Sequence, residues 1–280
     1  GGLMVNGITV PVFVLIALEL GFFVGACFFV APLNKHEEAV GLFKSEESKK
    51  ILKQTLLLNI LAMFASLSLF LYFSQLVPIS SSFYHLVDGP SELWKAFLPM
   101  LIGSILSMMV SKRLVARGVP NLTMMKGGAL VGAVGCGFLF AWKGSDGYGI
   151  GWFFFIGGGI FFMGNGLFNA GNRASLSRVI EKSNYVSTLM GWLFISSGIG
   201  SFLGSTIGSL FLSVEPSGST DCTSSDPLGY SFGCVDLKGI DGLVGFILAA
   251  CLLLFGGVLS YDYYMQKLGW DKGEEEEEER

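Results

Sequence analysis

Charge is what this sequence has least of. Only 14% of its 280 residues are Asp, Glu, Lys or Arg, against about 25% in a soluble domain. It has two histidines, His36 and His85, and neither has an obvious partner nearby in sequence. The sequence has no cluster at metal-ligand spacing, no Ser–His–acid set and no phosphate loop following a strand, so it gives no support to an enzyme, a cofactor or a metal. The glycine-rich stretch near residue 158 is no dinucleotide fingerprint, because no strand precedes it. Low charge combined with 51% hydrophobic residues and a mean hydropathy of +0.61 also argues against disorder, nucleic-acid binding and an ordinary cytosolic enzyme. The net charge of -4 says little about partners, since Glu274 to Glu279 supply six acids and leave the remainder slightly basic. There is no initiator Met before Gly1-Gly2-Leu3, so the upstream end is expected to be cleaved, trimmed or unobserved. No basic segment precedes the first apolar run, which therefore does not read as a signal peptide.

Long apolar runs are what is there. A helix crosses the hydrocarbon core with about 20 mostly apolar residues, and seven stretches qualify: 9–33, 55–76, 96–110 (extending through Leu114), 122–142, 149–170, 186–212 and 242–261. Continuous runs without alternation exclude a barrel of strands. The expected fold is an all-α integral membrane protein, a polytopic bundle of about seven transmembrane helices in a lipid bilayer. Its parts are a first helix in 1–33, a charged inside linker in 34–54, a six-helix bundle in 55–266 with an outside loop at 213–240, and an acidic tail in 267–280. The linker reads as a solvated or interfacial helix, and the tail as solvated, with electrostatic docking as the lesser alternative.

Lys and Arg orient the bundle. With the N-terminus outside and the C-terminus inside, only Lys95, Lys143 and Lys238 lie outside, and the other fifteen of the 18 basic residues lie inside, Lys126 at the inner end of the fourth span. Cys27, Cys136 and Cys251 fall within spans, where Cys behaves as a small buried hydrophobe. Cys222 and Cys234 share the outside loop; a disulfide on an oxidising face and two free thiols are the alternatives. The sequon Asn121-Leu122-Thr123 lies inside and is expected to be silent.

Polar residues inside the spans are the candidates for function. Asn165, Asn169 and Asn172 share one face of the fifth span, among Gly157-Gly158-Gly159, Gly164 and Gly166. Amides in hydrocarbon face either a cavity or another helix. Asn165 reads as lining a polar pathway and Asn172 as an interhelical hydrogen bond. Glu19, the acid deep in the first span, is the ion-coupling candidate; a neutral Glu bonded to a neighbouring helix, or one near the outer surface, is the alternative. Tyr72, Gln75, Trp192 and Ser196 offer rings and donors to a solute, although interface anchoring accounts equally well for Tyr72 and Trp192. Gly200, Gly204 and Gly208 form a doubled GxxxG row for close helix packing, and Gly128, Gly132 and Cys136 form a second small-residue row.

Three local patterns resemble the C-terminal part of a major facilitator superfamily transporter. The segment from Val110-Ser111-Lys112-Arg113 to Arg117-Gly118 is similar to that family's basic turn between helices eight and nine, with Ser111 where an Asp is common. Gly164-Asn165-Gly166 through Ser177-Arg178 resembles the end of helix ten and its inside loop. Ser187-Thr188-Leu189-Met190-Gly191-Trp192 with its following glycines resembles helix eleven. The seven spans would then be helices six to twelve, and 34–54 the linker between halves, shorter than in many members. The resemblance implies secondary active transport of a small solute, as symporter or antiporter, by two halves rocking around a midplane site. The N-terminal half, in the same or a separate chain, would be its partner. The alternative is a transport-inactive, transporter-like subunit scaffolding neighbouring membrane subunits. A seven-helix receptor ranks third, since the Asp-Arg-Tyr, Cys-Trp-x-Pro and Asn-Pro-x-x-Tyr signatures are missing.

Overall fold

The computed structural model describes residues 46–82, 84, 86–87, 92–140, 142, 150–181, 186–211 and 237–267. The chain divides into two compact units, residues 1–52 and 53–280, and the packing below is that of the second. Among the described residues every regular element is a helix: α1 Glu46–Phe73, α2 Leu76–Ser82, α3 Leu93–Ala116, α4 Asn121–Leu139, α5 Gly151–Glu181, α6 Val186–Phe211 and α7 Leu237–Lys267. Six of them, all but the seven-residue α2, are long and apolar enough to cross a membrane. They correspond to the second through seventh expected spans; the first, with Glu19 and Cys27, lies outside the described residues.

Helix boundaries differ from the apolar runs in a consistent way. α3 continues to Ala116, α5 to Glu181 and α7 to Lys267, each past its last apolar stretch into basic and polar residues. Hydropathy marks where lipid ends, whereas Lys, Arg, Glu and Ala favour helix beyond that point. α1 likewise begins at Glu46, inside the segment read as a linker, and breaks at Ser74–Gln75 rather than continuing through Leu76. α7 begins at Leu237, within the stretch assigned to the outside loop.

α5 is the centre of the packing. On α3 the buried residues are Ala96, Pro99, Gly103 and Ser107, a narrow stripe of small side chains. A Cβ at Gly103 would collide with the backbone of Gly159, and one at Gly166 with Ser107, so the stripe seats α3 directly on α5. α4 lies still closer: a Cβ at Gly164 would meet the backbone of Gly132 and Gly128. Small residues permit such approach, and in lipid the dispersion it brings is a main source of helix association. α7 closes the far side of α4, where the Cys136 thiol faces Cys251, both free and buried.

The turn from α3 to α4 is set by hydrogen bonds. Val119 N–H donates to Leu114 O (3.1 Å) and Gly118 N–H to Val115 O (3.0 Å), with Gly118 at φ 69°. This is a Schellman closure, which needs a left-handed residue that glycine adopts without strain. Pro120 follows, so the α3 helix cannot resume.

Candidate functional site

Two of the asparagines buried within the membrane-length helices, Asn165 and Asn172, meet α1 where it passes α5. The two helices run antiparallel. Asn172 Nδ2 donates to Leu58 O (3.3 Å), and two turns earlier on α5 Asn165 Nδ2 donates to Ala65 O (3.1 Å) and approaches Ser68 Oγ (3.4 Å). Earlier still on α5, Gly158 faces the Tyr72 hydroxyl. Helical carbonyls can accept here because each has a second lone pair beyond its intrahelical bond. Asn169 Nδ2 donates to Asn165 Oδ1 (2.6 Å), which fixes the Asn165 amide with its nitrogen toward α1. The i, i+4, i+7 spacing of the three amides thus becomes a seam of hydrogen bonds between helices.

Not every buried polar atom on these helices is paired. Asn59 is 2% exposed, and neither its Nδ2 nor its Oδ1 has a partner among the described residues. Thr55 Oγ1, one turn before Asn59 on the same face, Gln54 Oε1 and Asn172 Oδ1 are likewise buried and unpartnered. The other end of Gln54 is engaged, its Nε2 donating to Met265 Sδ of α7 (3.0 Å). Spare capacity of this kind at an apolar depth costs stability unless something meets it.

The remaining sequence candidates surround this seam. Tyr72 is fully buried among Phe154, Phe161 and Phe162, with ring centroids 5.5–6.5 Å away, and its hydroxyl has no partner among the described residues. Gln75 is buried at the break after α1, its Nε2 near Ser74 Oγ (3.4 Å). Trp192 and Ser196 are half-buried on α6. The row Gly200, Gly204, Gly208 lies on α1, meeting Met63, then Leu67, then Leu71 and Ser74. Numbers rise together, so α1 and α6 run parallel along this row. Asn165 and Asn169 are thus brought together where α5 meets α1, with Tyr72 further along α1 toward its C-terminal end and Gln75 just past it. Glu19, Cys222 and Cys234 lie outside the described residues.

Gln54, Thr55 and Asn59 are residues that sequence reasoning missed. Gln54 falls in the segment read as a linker, and Asn59 is one amide in an otherwise apolar run; their i, i+1, i+5 grouping was the available signal. Also missed is the partner of Lys126. Its Nζ pairs with Asp262 Oδ2 across α4 and α7, both side chains part-buried, and Gln266 Nε2 approaches the other carboxylate oxygen (3.4 Å).

Elsewhere in the described spans, charged side chains keep to the helix ends, as with Glu92, Lys95 and Asp241 at one end and Lys112, Arg113, Arg173, Arg178 and Lys267 at the other. The seam itself is neutral: amides, hydroxyls and carbonyls, suited to hydrogen bonding rather than to acid–base or nucleophilic work. Outside the spans, burial pushes the Tyr84 phenol well above its usual range, and nearby Asp241 adds to the shift. Among the described residues no three His, Cys, Asp or Glu side chains group as metal ligands. Comparison with known protein families, with characterised proteins and with solved structures finds no match.

Proposed function

We propose that the chain is the C-terminal portion of a secondary transporter for a small, electroneutral, hydrogen-bonding solute, working with an N-terminal half in the same or a separate chain. One observation carries this reading: Asn59 is buried within a membrane-length helix with both ends of its amide unmet, and Thr55 Oγ1 and Asn172 Oδ1 are buried and unmet as well. A seam serving only to hold helices together gains from pairing every polar atom, since each unmatched one costs about 1–3 kcal/mol. Donors and acceptors left spare are what a solute passing through would use. Because the seam holds no charged side chain, the solute it suits is neutral, such as a polyol or an amide. The resemblance to major facilitator transporters, with its basic turn and glycine-lined helices, supports the same reading. Alternating access follows from that resemblance, with Glu19 as the candidate for coupling to an ion gradient.

The test is solute uptake into proteoliposomes containing the full-length protein, using a panel of neutral polyols and amides under imposed proton or sodium gradients. Asn59→Leu and Asn165→Ala should each lower uptake by about tenfold or more, the scale of losing one well-placed hydrogen bond to the solute. Glu19→Gln should abolish the response to the gradient while leaving solute exchange. Unchanged uptake in both Asn variants would exclude the seam as the pathway.

The second reading, a transport-inactive subunit scaffolding a membrane complex, draws on a different observation. α3 and α6 are the least buried of the membrane-length helices. They expose Leu101, Ile105, Met109, Phe194 and Phe202. Neighbouring subunits would cover these faces. A stable complex of fixed stoichiometry, recovered in mild detergent and lacking uptake of every solute, would favour that reading over transport.

A further inference from the structure

Where α3, α4 and α5 meet at the basic end of the bundle they leave an open groove of about 340 Å³. Its α3 wall is built from Met108, Ser111, Lys112 and Val115, at i, i+3, i+4 and i+7 and so on a single face. Met124 of α4 and Ala174 of α5 supply apolar walls opposite. The groove is therefore apolar along its length and cationic at one end. The Schellman closure at Gly118 holds Arg113 and Arg117 in the same turn region as Lys112. All three are exposed, and none has a carboxylate partner among the described residues.

We infer that this groove binds an anionic phospholipid, its acyl chain against Met108, Val115 and Met124 and its phosphate at Lys112, within reach of the basic turn. Charge complementarity selects this occupant. An unpaired cation at the mouth of an apolar groove on a membrane-length helix suits a molecule with an anionic head and a hydrocarbon tail. A soluble anion leaves the apolar walls unused, and a zwitterionic lipid leaves the cation unneutralised. The Lys and Arg bias that orients the bundle puts the groove at the inner leaflet, where anionic lipids concentrate and where each basic residue near the surface contributes about 1 kcal/mol. The inference does not rest on the transport reading and stands equally for a scaffold.

The experiment is native mass spectrometry of the full chain released from nanodiscs of phosphatidylcholine with phosphatidylglycerol at defined ratios. Retained phosphatidylglycerol should exceed its share of the bilayer. Lys112→Gln should lower its apparent affinity about fivefold, with Lys112→Arg restoring it. Ala174→Trp, which fills the groove and leaves every charge in place, should lower it comparably. Lys267→Gln, removing one exposed charge from the end of α7, should have little effect. Glycerol phosphate in solution should not compete. Three results would overturn the proposal: no enrichment of phosphatidylglycerol, equal losses from Lys267→Gln and Lys112→Gln, or full retention in Ala174→Trp. Unfolding temperatures within a few degrees of the parent keep a folding defect from being read as lost binding.

Discussion

The two flanks of α5 solve the problem of helix packing in opposite ways. Toward α4 it presents Gly157, Gly164 and Gly171, and the neighbouring backbone comes so close that no side chain fits between. Toward α1 it presents Asn165 and Asn172, which reach across and bond to main-chain carbonyls. The first contact has no donor or acceptor to spare and only one workable geometry, because any added atom collides with backbone. The second depends on side chains that can rotate, and it leaves Asn172 Oδ1 unmet. A rigid flank and an adaptable flank on one helix are what the proposed transport would draw on, and the difference can be tested from each side.

The largest effect is expected on the glycine flank. Gly164→Leu sets a side chain against the backbone of Gly132 and Gly128, atoms that cannot swing away, so α4 must separate from α5. Overpacking of this kind costs about 3 kcal/mol or more, and the variant should lose its monodisperse peak in detergent or unfold many degrees below the parent. Gly127, whose added Cβ would meet nothing within 4 Å, is the control. Gly127→Ala should be neutral or slightly stabilising, since alanine favours helix. Equal damage from both would mean that the close approach does not govern stability.

On the amide flank the expected loss is smaller. Asn165→Ala removes the bond to Ala65 O and strands Asn169, whose amide donates to Asn165 Oδ1. Interhelical hydrogen bonds in membranes are worth about 1–2 kcal/mol or less. Thermal unfolding in detergent should therefore fall by a few degrees without loss of fold. A collapse as severe as that of Gly164→Leu would make the amide flank as rigid as the glycine flank and remove the contrast.

How far this contrast is legible in the sequence differs between the flanks. Three amides at i, i+4 and i+7 and glycines at four-residue spacing are local patterns, so the face of α5 and the GxxxG row of α6 are readable without coordinates. The α1 side is not readable. Ala65 and Leu58 take part through backbone carbonyls, which every residue has, and no residue type announces them. Asn59 stands alone in an apolar run, where one amide gives no period. Lys126 and Asp262 are 136 residues apart, and nothing local in either segment marks them as a pair. Hydropathy located the six described membrane-length helices and placed the starts of α4 and α6 within a residue, but it fell short of the start of α1 and of the ends of α3, α5 and α7, because apolar content reports lipid contact while the helix continues as far as its residues favour it.

The Lys126–Asp262 pair between α4 and α7 lies away from both flanks and provides a scale for them. Its side chains are 29% and 20% exposed, so solvent screens part of the attraction. Lys126→Gln should cost about 1 kcal/mol or less, and Asp262→Asn a similar amount. The double variant should be no worse than either single one, because the charge left behind is what each single variant suffers from. Additive losses would mean that the two residues act independently and that the pairing contributes nothing.

The smallest effect on stability is expected at Asn59, and that makes it the most discriminating position. Leucine has the same four-atom branched side-chain skeleton as asparagine, is bulkier, and carries no polar atom. Because Asn59 has no hydrogen bond to lose among the described residues, Asn59→Leu removes an unmet donor and acceptor from an apolar depth. Unfolding temperature should stay level or rise. Asn172→Leu, on the facing helix, gives up the bond to Leu58 O and should fall slightly. A stabilised Asn59→Leu that has also lost solute uptake is the signature of a residue kept for function against its cost to folding. If Asn59→Leu is instead destabilised by as much as Asn165→Ala, the Asn59 amide has a structural partner in the working protein, and its buried amide is no spare capacity for a solute.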